Sequence, residues 1–314
     1  MTNYPNGLRS FGAPVLPQID LNPWGRHWFV DGGSGAASGQ VEPVGSDGKN
    51  GKSPAKAFLT MQKAFDQLQS GDIIWARGNI REQISTPAGV FDVTIIGCRT
   101  RHADAHGADI TNGGYSSTTW KSPASEATTT PLLTVRQQGW KIYNILFDGP
   151  ADAAAIQLFR DAGSGDAEDD ASHAIIERCK FVAGQNHIEF KGGLSQVELY
   201  GNLFFGATAD SILETVGAGV GTNNYHRFIG NHWHNNDTHI DMACNSATIY
   251  GNTFGLRSGS AAYIDLSGGA SNVVWGNYLS GTYSNAGGYT AGTNDEWAGN
   301  FNVLSGGVTA ADPA

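Results

Sequence analysis

Four carboxylates occupy equivalent places in the sequence: Glu189 in His187-Ile188-Glu189-Phe190, Glu214 in Ile212-Leu213-Glu214-Thr215, Asp241 in His239-Ile240-Asp241-Met242, and Asp265 in Tyr263-Ile264-Asp265-Leu266. Gln157 holds the same place in Ala155-Ile156-Gln157-Leu158. Alternate side chains of a strand face opposite ways, so inward apolar flanks would turn all five outward. If such strands stack as coils, neighbouring acids stand ~5 Å apart and alternate ones ~9–10 Å, near the separations that retaining and inverting glycoside hydrolysis use. Crowded like charges raise at least one carboxyl pKa, which a general acid needs. A hard cation such as Ca²⁺ would relieve the same repulsion. A solvated polar face gives the same pattern, so none of Glu189, Glu214, Asp241 and Asp265 is favoured as catalytic; they are the acids an enzyme on this scaffold would use.

Two other groups of residues carry chemistry. His226, His232, His234 and His239 cluster in the sequence, and an inward Trp233 would leave His232 and His234 side by side on the outside as a potential metal pair. No acid stands at a fixed ligand spacing from them, so neither a metal nor another cofactor is favoured. Tyr200, Tyr250 and Trp275 recur before Gly-Asn pairs and are candidate stacking platforms for a sugar. The acidic stretch Asp161 to Asp170 reads as a solvated loop without EF-hand spacing.

The element that positions these residues is a repeat. Gly-Asn pairs at Gly201-Asn202, Gly230-Asn231, Gly251-Asn252, Gly276-Asn277 and Gly299-Asn300 give Asn-to-Asn steps of 29, 21, 25 and 23 residues. Degenerate copies lie at Tyr143 to Phe147 and Glu177 to Phe181, and a weaker one at Ile96-Gly97-Cys98. Aligned, they produce an apolar column (Ile95, Ile142, Ile176, Leu199, Phe228, Ile249, Val274, Trp297) and a second column (Phe147, Phe181, Phe204, Trp233, Phe254, Leu279). A third column runs Cys98, Ile145, Cys179 and then the five asparagines. A coil this short cannot bury its own apolar face, but stacked coils bury all of them. The asparagines then form an inward amide ladder, and the cysteines of that column are packed core thiols. This period is too short for propeller blades, and the chain beyond Gly71 lacks helical periodicity. The fold expected is all-β: a single right-handed parallel β-helix of about ten coils.

Residues 1–20 read as an extended N-terminal arm with Tyr4, Pro5, Phe11 and Pro14 as its contact points. Residues 21–71 read as an entry loop and a capping α-helix, in which Ser53 is the N-cap, Pro54 the first helical residue, and Phe58, Met61, Phe65 and Leu68 the buried stripe. Residues 72–305 form the β-helix and 306–314 a polar C-terminal tail. The 314 residues include 43 glycines, and the formal charge is −10, which is no footprint for nucleic acid. No apolar run spans a bilayer, so membrane insertion is not expected. The start has no signal-peptide pattern, which places synthesis in a cytoplasm without classical export. Three cysteines are too few for a disulfide framework.

The opening MTNYPNGLRSFGAPV resembles the arm of tailed-bacteriophage virion proteins, and the block DGKNGKSPAKAFLTMQKAFDQLQSGDIIWARG resembles the entry segment of β-helix proteins in phage spikes and polysaccharide-processing enzymes. The resemblance implies a virion surface protein, commonly a homotrimer. One role it implies is a capsid decoration or head-fibre protein, gripping the major capsid protein or another virion protein by its arm. The other is a tailspike-like protein that binds host surface glycan and, as a hydrolase or lyase, cuts it. No folded anchoring domain is evident before the rod and no trimerisation domain after it, which favours the capsid role.

Overall fold

The computed structural model describes residues 9–10, 13–14, 25–33, 45–98, 118–123, 128–161, 169–215, 223–259, 261–309 and 312–313. Its architecture is a parallel β-helix with three faces. The first sheet has ten strands, from His27–Asp31 to Glu296–Ala298, and the second has ten, from Asn79–Arg81 to Gly307–Val308. The third has eight, from Ile84–Ser85 to Tyr289–Thr290. The chain visits the three sheets in turn, so each strand pairs with the one a full coil away. Ten rungs at about 4.8 Å make a rod about 45 Å long.

Each three-residue strand of the first sheet buries its middle side chain. Ile95, Ile142, Ile176, Leu199, Phe228, Ile249, Val274 and Trp297 are paired in register down the sheet and lie inside. On the second sheet the rings of Phe147, Phe181, Phe204, Trp233 and Phe254 stack face to face, with centroids 5.1, 4.9, 5.0 and 4.7 Å apart. Such pairs contribute about 0.5–1.5 kcal/mol each beyond the area they bury. Trp120 extends the stack at its start and Leu279 ends it.

The third column is a hydrogen-bond ladder. The amide nitrogens of Asn202, Asn231, Asn252 and Asn277 donate to the side-chain oxygen of the next asparagine, at 3.0, 3.2, 3.0 and 2.9 Å. The same oxygens accept from the backbone N–H of the preceding coil. Before each asparagine stands a glycine with left-handed backbone, Gly251 at φ +64° among them. Gly251→Ala should cost about 1 kcal/mol, because a Cβ resists this conformation although nothing crowds it there. Gly251→Asn should cost less, as Asn144 adopts the conformation at the matching turn; denaturant midpoints of the two variants make the comparison.

Four expectations change. The segment from Ser53 is not one helix: a 3₁₀ turn at Pro54–Lys56 is followed by extended Ala57 and by a five-residue helix, Met61–Phe65, capped by Thr60. Phe58 is drawn out of helical geometry by a parallel bridge to Val30, and the Asp47 carboxylate holds the N–H groups of Leu59 and Thr60. The stripe Phe58, Met61, Phe65 and Leu68 is nevertheless buried. The rod begins earlier than residue 72, because His27–Asp31 pairs in register with Ile73–Arg77. Cys98 is exposed and outside the third column; Thr118 pairs with Ile145 there, since residues 99–117 intervene between the two strands of that coil. Cys179 and Cys244 are buried. Finally, residues of the tail close the last coil. Gly307–Val308 turns back antiparallel on Phe301–Asn302, Thr309 bonds Gly299 and Asn300, and Asp312 accepts from the Trp297 N–H.

Candidate functional site: the outer face of the first sheet

The first and third residues of each strand in the first sheet point outward. The third positions run Tyr200, Ile229, Tyr250 and Trp275 in register on successive coils. Tyr250 and Trp275 are 39% and 47% exposed, and their rings stack with centroids 4.3 Å apart. Gly276 makes the stack possible: a Cβ there would come within 2.9 Å of the Tyr250 ring. Tyr200 lies two coils away on the same column and is half-buried, with its hydroxyl beside Glu198.

Next to this column runs a groove of about 510 Å³, in the range of small-molecule sites. Its floor is Ile175, Glu198, Arg227 and Thr248, first residues of four successive strands. Its wall is His173, Gln196, Tyr225 and Ser246. All four wall residues have left-handed backbone, at φ 62, 56, 59 and 56°. That conformation is uncommon for residues with a Cβ, and most of all for an aromatic one. Each wall residue stands three before an inward residue of the first sheet, so the same turn recurs coil after coil and lines up four side chains. Tyr225 is 60% exposed at the lip. Arg227 reaches Glu198 at 3.4 Å, and Arg178 reaches Glu177 at 3.1 Å.

The predicted acids lie on the third sheet, a different face. Gln157, Glu189, Asp241 and Asp265 share one register column, with Leu213 between Glu189 and Asp241. Glu214 is therefore off the column. Ile212 takes the inner place beside Ile188, so Leu213 turns outward and Glu214 pairs with Phe190. One Glu214 oxygen accepts the Ala243 N–H at 2.6 Å, and burial pushes its carboxyl above the usual range. Both oxygens of Glu189 are engaged, by Gln157 and Thr215. Asp265 accepts from the Ser267 N–H. Asp241 keeps solvent contact, yet lost hydration and then the charges of Asp210, Asp265 and Glu214 push its carboxyl up to about 6. Asp241 thus stands beside Asp265 on the next coil and within electrostatic reach of Glu214, while Glu189 is held apart from them by its bonds to Gln157 and Thr215.

The histidines divide in two. His232 and His234 are exposed on the second sheet with ring centroids 6.4 Å apart, and His234 stacks on Phe205. His226 and His239 are core residues, as is His187. Among the described residues no three His, Cys, Asp or Glu side chains are grouped to hold a metal ion. Tyr4, Pro5 and Phe11 lie outside the described residues, as does most of the acidic loop; Pro14 belongs to a small antiparallel pair, Arg9–Ser10 with Ala13–Pro14. The groove escaped sequence reasoning because its wall shares a backbone conformation rather than a residue type.

No family model and no curated protein sequence matches the chain. Solved structures with a similar course include ORF18 of Geobacillus virus E2, at 13% identity and a TM-score of 0.36, covering 77% of this chain and 56% of that one. Pectate lyase Bsp165PelA from Bacillus sp. N165, in complex with trigalacturonate, aligns at 14% identity and 0.40, over 74% and 72% of the two chains. Tailspike protein gp49 of the Acinetobacter baumannii bacteriophage Fri1, a capsular polysaccharide depolymerase, aligns at 12% and 0.35, over 73% and 52%. The chain thus spans about half the length of the two viral proteins, and at these identities the likeness is one of fold.

Proposed function

We infer that the protein is a phage virion surface component whose rod binds an extended polysaccharide of the host cell along the outer face of the first sheet. The observation that carries this reading is the exposed Tyr250–Trp275 stack beside the groove walled by Tyr225. Aromatic faces suit the apolar faces of sugar rings, and polar groups along the groove suit their hydroxyls. The coil repeat of about 4.8 Å is close to the length of one hexose in an extended chain. Successive coils therefore offer successive sugars equivalent contacts. Residues 1–20, with Tyr4, Pro5, Phe11 and Pro14, are the attachment to the major capsid protein or another virion protein, and the assembled form is a homotrimer. A capsid decoration protein and a tail protein both accommodate a glycan-binding rod.

Binding to an array of bacterial surface polysaccharides tests the reading. Tyr250→Ala and Trp275→Ala should each weaken the bound polymer about 30-fold, as loss of a central aromatic contact does. Phe205→Ala, on another face, should leave affinity unchanged. Wild-type affinity in the Tyr250→Ala/Trp275→Ala double variant would refute the site. The groove itself should not hydrolyse the bound polymer, because it holds a single carboxylate, Glu198, where glycoside hydrolysis uses a pair.

A further inference from the structure

Resting on that reading, we propose that the glycan bound by this face is uncharged, not a uronate or other polyanion. Charge is balanced across the groove and its surroundings. From the strand Ile175–Glu177 to the strand Glu296–Ala298, the outer positions of the first sheet carry Glu177, Glu198 and Glu296 as anions and Arg227 as a cation. Arg178 stands in the turn beside them. Each guanidinium is matched within the face: Arg227 with Glu198 and Arg178 with Glu177. Lys141, beside Ile175 on the preceding coil, is offset by Glu296 at the other end, so the face as a whole holds no surplus cation. The remaining outer positions, among them Ile175, Thr248, Val273, Tyr200, Tyr250 and Trp275, are neutral.

A polyanion needs surplus cations. It would approach a protein of formal charge −10 against its field, and it would have to displace Glu177 and Glu198 from their partners to gain a contact. An uncharged chain meets neither cost. Its hydroxyls bond to Thr248, Ser246, Gln196 and the two ion pairs as they stand, and its ring faces lie on exposed aromatics.

The experiment uses the full chain and an array of neutral and uronate-bearing polysaccharides, read at roughly 20 and 200 mM salt, conditions between which screening changes severalfold. The wild type should bind only uncharged polymers, with affinities that differ less than about twofold between the two salts. The variant Glu177→Gln/Glu198→Gln frees two guanidinium groups on the solvent side. It should gain polyuronate binding that falls at least tenfold at the higher salt, as contacts carried by ionic attraction do. Polyuronate binding by the wild type, lost in salt, overturns the inference and leaves the glycan reading standing. A variant that gains no polyuronate binding also overturns it, since the two carboxylates then do not set the preference. Binding of neither class by wild type or variant removes the glycan reading itself.

Discussion

Asn252→Leu should lower the stability of the rod by roughly 4 kcal/mol or more, as the loss of several buried hydrogen bonds at once does. Asn252 is fully buried. Its side-chain oxygen accepts from the Asn231 backbone N–H at 2.8 Å and from the Asn231 amide at 3.2 Å. Its nitrogen donates to Asn277 at 3.0 Å and to the Phe228 carbonyl at 2.8 Å. Leucine has the same branching and is the larger residue, so no cavity opens, and the cost is that of polar groups left without partners or water together with some crowding. The effect should be local before it is global, because each coil contacts only its neighbours. Hydrogen exchange should show protection lost first at Thr248–Tyr250, the strand that enters the turn, and at Arg227–Ile229, its partner on the neighbouring coil. A midpoint within about 1 kcal/mol of wild type would mean that the ladder follows from the stacking without supporting it.

Acid should unfold the middle of the rod before its ends. His187, His226 and His239 lie in the core on three neighbouring coils, and burial pushes their imidazoles down to about 3, 3 and 4. The hydrogen bonds show why the neutral form is required. The His226 Nδ1 accepts the Val197 N–H at 3.1 Å, and its Nε2 donates to the Asn223 oxygen, which already accepts from the Leu194 N–H. The Asn236 oxygen accepts from the Ala207 N–H, so its amide nitrogen faces the Nδ1 of His239, whose Nε2 donates to the Gly255 carbonyl. A proton added at Nδ1 would oppose N–H to N–H in both places.

An imidazole whose pKa is lowered in the fold contributes stability that is complete above the unfolded value of 6.5 and is lost as the pH falls toward the folded value. Each such group costs about 1.4 kcal/mol per pH unit in that window, and three together cost roughly 6 kcal/mol between pH 6.5 and 5, comparable to the stability of a whole domain. The carboxyls of Asp210, Glu214 and Asp241 are shifted upward. They act in the opposite direction, gaining proton affinity in the fold as the pH falls, and offset part of this loss. His226→Asn should move the acid midpoint downward, because Asn272 takes the same place two coils on and accepts the Ala247 N–H as His226 accepts that of Val197. Circular dichroism against pH reads the midpoint, and an unchanged value in His226→Asn would remove the imidazoles from the account.

The inner columns could be read from the sequence because stacking places like on like. The Gly-Asn pair marks the turn in five coils, and counting back three residues from each asparagine finds Leu199, Phe228, Ile249, Val274 and Trp297. The outer surface was less legible. Glu214 lies one residue off the expected column, because Ile212 and Leu213 are equally apolar and only pairing with Ile188 decides which faces in. His226 lies close in sequence to the solvent-facing His232 and His234, yet it does the work of an asparagine in a second interior ladder that continues through Asn272 to Asp295. The strand His27–Asp31 was hidden by glycines on either side. Helical spacing from Phe58 to Leu68 was real as a burial pattern, but a bridge to Val30 claimed Phe58.

A crystal structure of the protein with an oligosaccharide cut from the polymer it binds would test the central claim most directly. The account predicts sugar rings following the rod axis across several coils of the first sheet, with one ring against Tyr250 or Trp275 and hydroxyls bonded in the groove beside Tyr225. Sugar bound instead across Glu189, Asp241 and Asp265 on the third sheet would contradict it.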